Sequence, residues 1–259
     1  MDYFRNLFRY KDLFLQLTLR EIKAKYKQSI LGYSWVILVP LINLGVLSIV
    51  FSYLFKVPTG NIPYPIFLFV ALVPWLFLSN AVSSATGSVI ANGSLVTKVS
   101  LPREILPASA VTSKLVDLFL MMIILSFFLI LYKISFHPTL LFAPVIVLIQ
   151  ILLIMGVSFF LSAGNVFYRD IEHAVGLLLM VWMYLTPIVY SPDLIPKDLK
   201  SLFYLNPMAG IIDAYRNIIL DGNLPDWGSF CYSAAISLAV FVLGYLYFKN
   251  RSRFFADVI

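Results

Sequence analysis

Three features predict an all-α integral membrane protein. Of 259 residues, 61% are hydrophobic, and the mean hydropathy is +0.90. Charged residues are only 12%, against about 25% in ordinary globular chains. The apolar residues also gather in six stretches, each close to the roughly 20 residues that a helix needs to cross a bilayer. A soluble fold with this composition would expose large apolar patches and aggregate.

Residues 1–29 come first and read as a cytoplasmic amphipathic interface helix. Phe4, Leu7, Phe8, Leu13, Phe14, Leu17 and Ile22 recur at helical spacing with basic residues between them. Asp12 is placed to cap a second helical piece. The six-span unit, residues 30–259, follows. Its predicted spans are 30–55, 65–86, 108–132, 139–166, 174–190 and 229–248. The first is too long for a signal-peptide core and has no A-x-A cleavage site after it, so it is retained. Between the second and third spans, "GSVIANGSLVTKVSLPREILP" is expected to break into short helices at Pro102 and Pro107.

Segment 191–228 is long for a connection. Helical spacing of Leu199, Leu202 and Phe203, then Ile211, Ile212, Tyr215, Ile218 and Ile219, predicts two short helices over 198–222. They break at Asn206-Pro207 and re-enter the membrane from outside, beside a water-filled pathway. Asp213 and Arg216 stand one turn apart there and form a candidate external gate with Asn206 and Pro207.

Fourteen of the nineteen Lys and Arg residues fall on the side of the N-terminal segment, the second and fourth loops and the tail. By the positive-inside rule both termini are cytoplasmic. The net charge of +6 therefore marks sidedness and anionic membrane lipids, and no nucleic acid is expected. The single Cys231 excludes an intrachain disulfide, and no Cys/His spacing suits a metal. No G-x-x-x-x-G-K-[ST], G-x-S-x-G or H-E-x-x-H occurs, so the chain has no ATPase or hydrolase site of its own and no cofactor. Lys114 and Asp117, one turn apart, are the only ionisable pair inside a span and can neutralise each other. Uphill transport would draw its energy from another subunit.

Against this background "VFYRDIEHAV" (166–175) stands out, since no Asp, Glu, Lys or Arg occurs from Gly156 to Tyr168 or from Ala174 to Pro192. Asp170 and Glu172 suit the positive end of the fifth helix. Capping leaves Arg169, Phe167 and Tyr168 unexplained, and such a compact aromatic and charged cluster suits docking to a cytoplasmic partner.

The stretch "VFYRDIEHAVGLLLMVWMYLTPIVY" resembles the fourth-loop and fifth-helix signature of type-2 ABC exporter permeases, nearest the branch exporting O-antigen and teichoic acid. "REIKAKYKQSILGYSWVILVPL" (20–41), "LVTKVSLPREILP" (95–107), "LNPMAGIIDAYRNIILDG" (205–222) and the basic tail agree in order. The resemblance implies a homodimer bound to two copies of a nucleotide-binding ATPase subunit that carries the ATP and Mg. It implies export of a polyprenyl-pyrophosphate-linked polysaccharide across the bacterial cytoplasmic membrane. Arg20, Lys23, Lys98, Pro102, Arg103, Glu104, Tyr168, Arg169, Asp170 and Glu172 would couple the ATPase to the spans. Arg20, Lys27, Leu31 and Gly32 would receive the lipid headgroup. Trp75, Phe77, Trp182 and Tyr184 lie mid-span, away from any interfacial belt, and could line a channel on which sugar rings stack. Ordinary helix packing would also account for them. A permease for a small hydrophobic drug or lipid shares the architecture, whereas a membrane transferase would need an acid, base or metal cluster that the sequence lacks.

Overall fold

A computed structural model describes residues 10–24, 32, 34–60, 62–194, 203 and 205–259. Helix α1 (Lys11–Ala24) precedes α2 (Ser34–Ser48), which runs on as a π-helical turn, Ile49–Leu54. Then come α3 (Tyr64–Ala91), the short α4 (Gly93–Lys98) and α5 (Ile105–Leu131). A 3₁₀ turn, Pro138–Phe142, leads into α6 (Ala143–Phe167), followed by α7 (Asp170–Tyr184). Helix α8 (Pro207–Arg216) ends in a π turn, Asn217–Asp221, and α9 (Trp227–Arg251) leads through a 3₁₀ turn to α10 (Phe255–Val258). Among the described residues there are no strands.

Five of these helical stretches are long and apolar enough to cross a membrane: Ser34–Leu54, Tyr64–Ala91, Ile105–Leu131, Pro138–Phe167 and Trp227–Val258. Helix α7 has only 15 residues. The predicted span 174–190 is therefore helical only to Tyr184, because Pro187 has no N–H to extend it and disfavours helix at Thr186. Pro107, by contrast, does not break the chain. It lies in the first turn of α5, where its missing donor would have no partner anyway. Asp12 and Asp170 likewise stand inside the first turns of α1 and α7, where they complement the helix dipole. Asp170 is not a cap, since α7 has Arg169 at its N-cap and no side-chain cap bond.

The predicted interface helix is helical over Lys11–Ala24 and turns Leu17 into the protein against α5. The rest of 1–29 and the first arm of the predicted re-entrant pair lie outside the described residues except for Tyr10, Phe203 and Leu205. The second arm is α8, which Gly222 stops in the left-handed conformation (φ 66°) that glycine adopts without strain.

Helix α3 is the axis of the bundle. Most of its apolar length is buried, and α2, α5, α6, α7 and α8 all pack around it. Helices α6 and α9 pack extensively, and Gly156 and Gly244 bring their backbones together. In lipid, helices associate through such close packing rather than through hydrophobic burial.

Candidate functional site

Polar side chains collect at the two ends of the bundle. At the end predicted to be cytoplasmic, an Arg20 Nη2 on α1 donates to the Asn92 side-chain oxygen, which stands between α3 and α4. Asn92 in turn donates to the Ser88 carbonyl at 2.8 Å. A second amide, Asn165 on α6, is fully buried and donates to the Thr86 carbonyl of α3 at 3.1 Å. It also reaches Glu172 on α7 at 3.4 Å. The Glu172 carboxylate lies so near α3 that a Cβ on Gly87 would sit 3.2 Å from it.

The tail closes the same end. Phe255 is fully buried against Phe248 and Phe167, with ring centroids 5.4 and 6.1 Å away. The Arg103 guanidinium lies 6.0 Å from the Phe255 ring, and the Ile259 side chain covers Gly93 at the start of α4. Of the predicted coupling residues, the structure thus gathers Arg20, Arg103 and Glu172 around α3, α4 and α10. It buries Glu104 and half-buries Pro102. Lys23, Lys98, Tyr168, Arg169 and Asp170 remain on the surface, Tyr168 at 71% exposure. Lys27 and Leu31 lie outside the described residues, and Gly32 has a positive φ of 49°.

At the opposite end Arg216 is 4% exposed. Its guanidinium stacks 3.8 Å from the Phe67 ring centroid, and Nη2 donates to the Ile188 carbonyl at 2.9 Å. Among the described residues Nε and Nη1 find no hydrogen-bond acceptor. Burial lowers the Arg216 pKa to about 10, with the charge of Asp213 foremost in opposing the shift, so the group is a cation at neutral pH. Burial also raises the carboxyl of Asp221, while the Arg216 charge pulls it back down. These three residues border a cavity of about 530 Å³ that also touches Thr59, Ser191 and Asn217.

Asn206 ties α8 to α7. Its Oδ1 accepts from the backbone N–H of Met208 at 3.1 Å and from the Trp182 indole at 2.9 Å, and its Nδ2 donates to the Thr186 hydroxyl at 2.8 Å. Pro207 follows at the first helical position. Trp182 meets Trp75 edge-on, with centroids 5.9 Å apart. It also lines an open groove of about 410 Å³ with Leu185, Phe203, Asn206 and Pro207. Trp75 and Phe77 are each 3% exposed and pack inside the protomer, whereas Tyr184 is 48% exposed. Lys114, 9% exposed, and Asp117 line a cavity of about 240 Å³ between α2, α3 and α5.

Sequence reasoning passed over three buried amides, Asn92, Asn165 and Gln150. Their signal was a side-chain amide in or beside an apolar run, where it needs a partner.

Residues 12–220 match the ABC-2 type transporter family. The chain is 32% identical over 263 residues to the O-antigen export system permease protein RfbA of Myxococcus xanthus, with 98% of each chain covered. It is 30% identical over 252 residues to the protein of the same name from Klebsiella pneumoniae, covering 96% of this chain and 95% of that one. With the polysialic acid transport protein KpsM of Escherichia coli it shares 23% identity over 241 residues, 92% of each. An apolar helical bundle with this full-length likeness is a multi-pass membrane protein belonging to the ABC-2 type transporter family.

Proposed function

We propose that this chain is the permease subunit of an ATP-driven exporter that moves a polysaccharide out of the cell. The observation that carries the reading is the end-to-end similarity to O-antigen export permeases. The finer reading is a homodimer in the cytoplasmic membrane, with both termini inside, served by two copies of a separate ATPase that binds ATP and Mg. The polymer is carried on a polyprenyl-pyrophosphate lipid. Arg20, Lys27, Leu31 and Gly32 receive the headgroup, and Arg20 also joins α1 to the start of α4 through Asn92. Tyr184 and Trp182 offer aromatic faces toward the polymer, and the buried Trp75 meets Trp182 edge-on from inside the protomer.

Two experiments test this reading. Solubilisation in mild detergent should recover an ATPase with the permease, and deletion of the permease should trap lipid-linked polymer inside. Trapping of an unlinked lipid or a drug instead would favour the small-molecule reading.

The exposed loop Tyr168-Arg169-Asp170 carries the docking role in this scheme. Reversing both charges, Arg169→Glu with Asp170→Lys, should lower polymer exported per ATP by about tenfold, the size of a typical coupling energy. Membrane insertion should not change, because both side chains are on the surface. Normal export by a variant that still binds the ATPase would reduce the loop to the start of a helix.

A further inference from the structure

We propose that Gln150 is a positioning residue that fastens the external helix α8 to the proline break of α3, so that the external mouth, the cavity beside Arg216, moves only when α3 does. The assignment rests on the export reading above and adds the residue that links mouth to drive.

Gln150 lies inside α6 and is fully buried. Its Nε2 donates to the Pro74 carbonyl of α3 at 2.7 Å, and its Oε1 accepts from the Tyr215 hydroxyl of α8 at 3.1 Å. Tyr215 is also fully buried. A leucine or methionine would fill the same space without placing an amide in an apolar interior, where each unmade hydrogen bond is expensive. Local packing therefore does not require Gln150. What only an amide can do here is donate to one helix and accept from another.

Pro74 is where α3 can bend. It has no N–H, so the Val70 carbonyl loses its partner in the helix, and proline is the commonest cause of a kink. The two halves of α3 on either side of it belong to different neighbourhoods. The outer half is bound to α8 and to the chain after α7. Phe67 stacks under Arg216, and the Tyr64 hydroxyl donates to the Val189 carbonyl at 2.8 Å. The inner half is bound to the other end of the bundle, with Thr86 held by Asn165 and Gly87 beside Glu172. Gln150 sits at the joint and holds α8 to it. A bend of α3 driven from Glu172 would then carry Tyr215 and Arg216 with it as neighbours on one short helix.

Contiguity alone does not establish coupling, so the test must read coupling itself. The permease, purified with its ATPase and placed in nanodiscs so that both faces are open to solvent, would carry a reporter Thr59→Cys at the external cavity with Cys231→Ser. The rate of labelling by a membrane-impermeant sulfonated thiosulfonate would be compared without nucleotide and with ATP plus vanadate. In the parent the two rates should differ by about fivefold or more. Gln150→Met, which keeps length and burial, should bring that ratio near one while ATP hydrolysis continues. Tyr215→Phe removes a single hydroxyl and should do the same. The double variant should add nothing further, since both changes break one link. A parent whose mouth ignores nucleotide overturns the export reading and this assignment with it. A responsive parent with responsive Gln150→Met and Tyr215→Phe overturns the assignment alone, as does a loss of thermal stability with the ratio unchanged. Should Gln150→Met not insert, the ratio in Tyr215→Phe decides.

Discussion

Gly244→Ala is expected to remove most of the folded protein from the membrane, whereas Gly45→Ala leaves its amount unchanged. A Cβ on Gly244 would lie 2.2 Å from the Gly156 carbonyl oxygen, and one on Gly156 would lie 2.5 Å from the backbone of Val240 and Phe241. Both obstacles are helix backbone, so neither can rotate aside and α6 must move away from α9. The aromatic stack that follows the crossing would open with it. Phe159 meets Phe241, Tyr245 and Phe248 at centroid distances of 6.3, 5.8 and 5.2 Å. Overpacking of this kind typically costs about 1–3 kcal/mol. Here it falls on a backbone-to-backbone crossing in a bundle whose association depends on van der Waals contact. We expect the upper end, about 3 kcal/mol, a large part of a native stability of about 5–15 kcal/mol. Gly45 on α2 meets nothing within 4 Å, so its Ala variant only gains helix propensity. The check is the amount of inserted permease and its melting temperature in detergent. Equal yields for Gly244→Ala and Gly45→Ala would mean that the crossing is looser than the structure shows.

That crossing was not legible in the sequence, although the helices forming it were. Apolar run length located α5, α6 and α9 to within a few residues, because a bilayer selects length and composition and little else. Helix α3 continues to Ala91, past the predicted end at residue 86, since nothing in "GSVIA" breaks it before Asn92-Gly93. Proline was harder to read. Its effect depends on where it falls, harmless in the first turn of α5 and terminal after α7. The charges of the candidate site were visible because they interrupt apolar surroundings, as with Arg169, Glu172 and Arg216. Their partners were not. Arg216 turns to a backbone carbonyl and a ring face on α3, and neither has a pattern that spacing could reveal. The sequence reading placed Arg216 one turn from Asp213 in a candidate gate; the structure turns its guanidinium to Ile188 and Phe67, which join α8 to two other elements.

Arg216→Met is expected to leave the permease at least as thermally stable as the parent, yet let small solutes leak through its external mouth. Burial lowers the Arg216 pKa below its ordinary value to about 10, even with Asp213 opposing the shift. A cation with a depressed pKa disfavours folding at every pH below that value, and the burden lifts only as pH rises from there toward the unfolded pKa. At neutral pH the charge is therefore present and unfavourable, with two guanidinium nitrogens lacking acceptors among the described residues. Methionine fills the volume without those liabilities, so stability should hold or rise. What it cannot do is donate to the Ile188 carbonyl and stack its charge on Phe67, the contacts that bind α8 to the chain after α7 and to α3. Lysine keeps the charge but loses the planar fork, and should leak less than methionine. Alanine should both leak and destabilise, because it adds a cavity. We expect Arg216→Met to raise entry of a small fluorescent solute into intact cells or vesicles by about tenfold, in line with a lost contact of roughly 1–2 kcal/mol. Entry into the parent should be flat from about pH 6 to 9, where an arginine with this pKa stays charged. A tight, stable Arg216→Met would show that packing alone closes the mouth and that the guanidinium contacts do not.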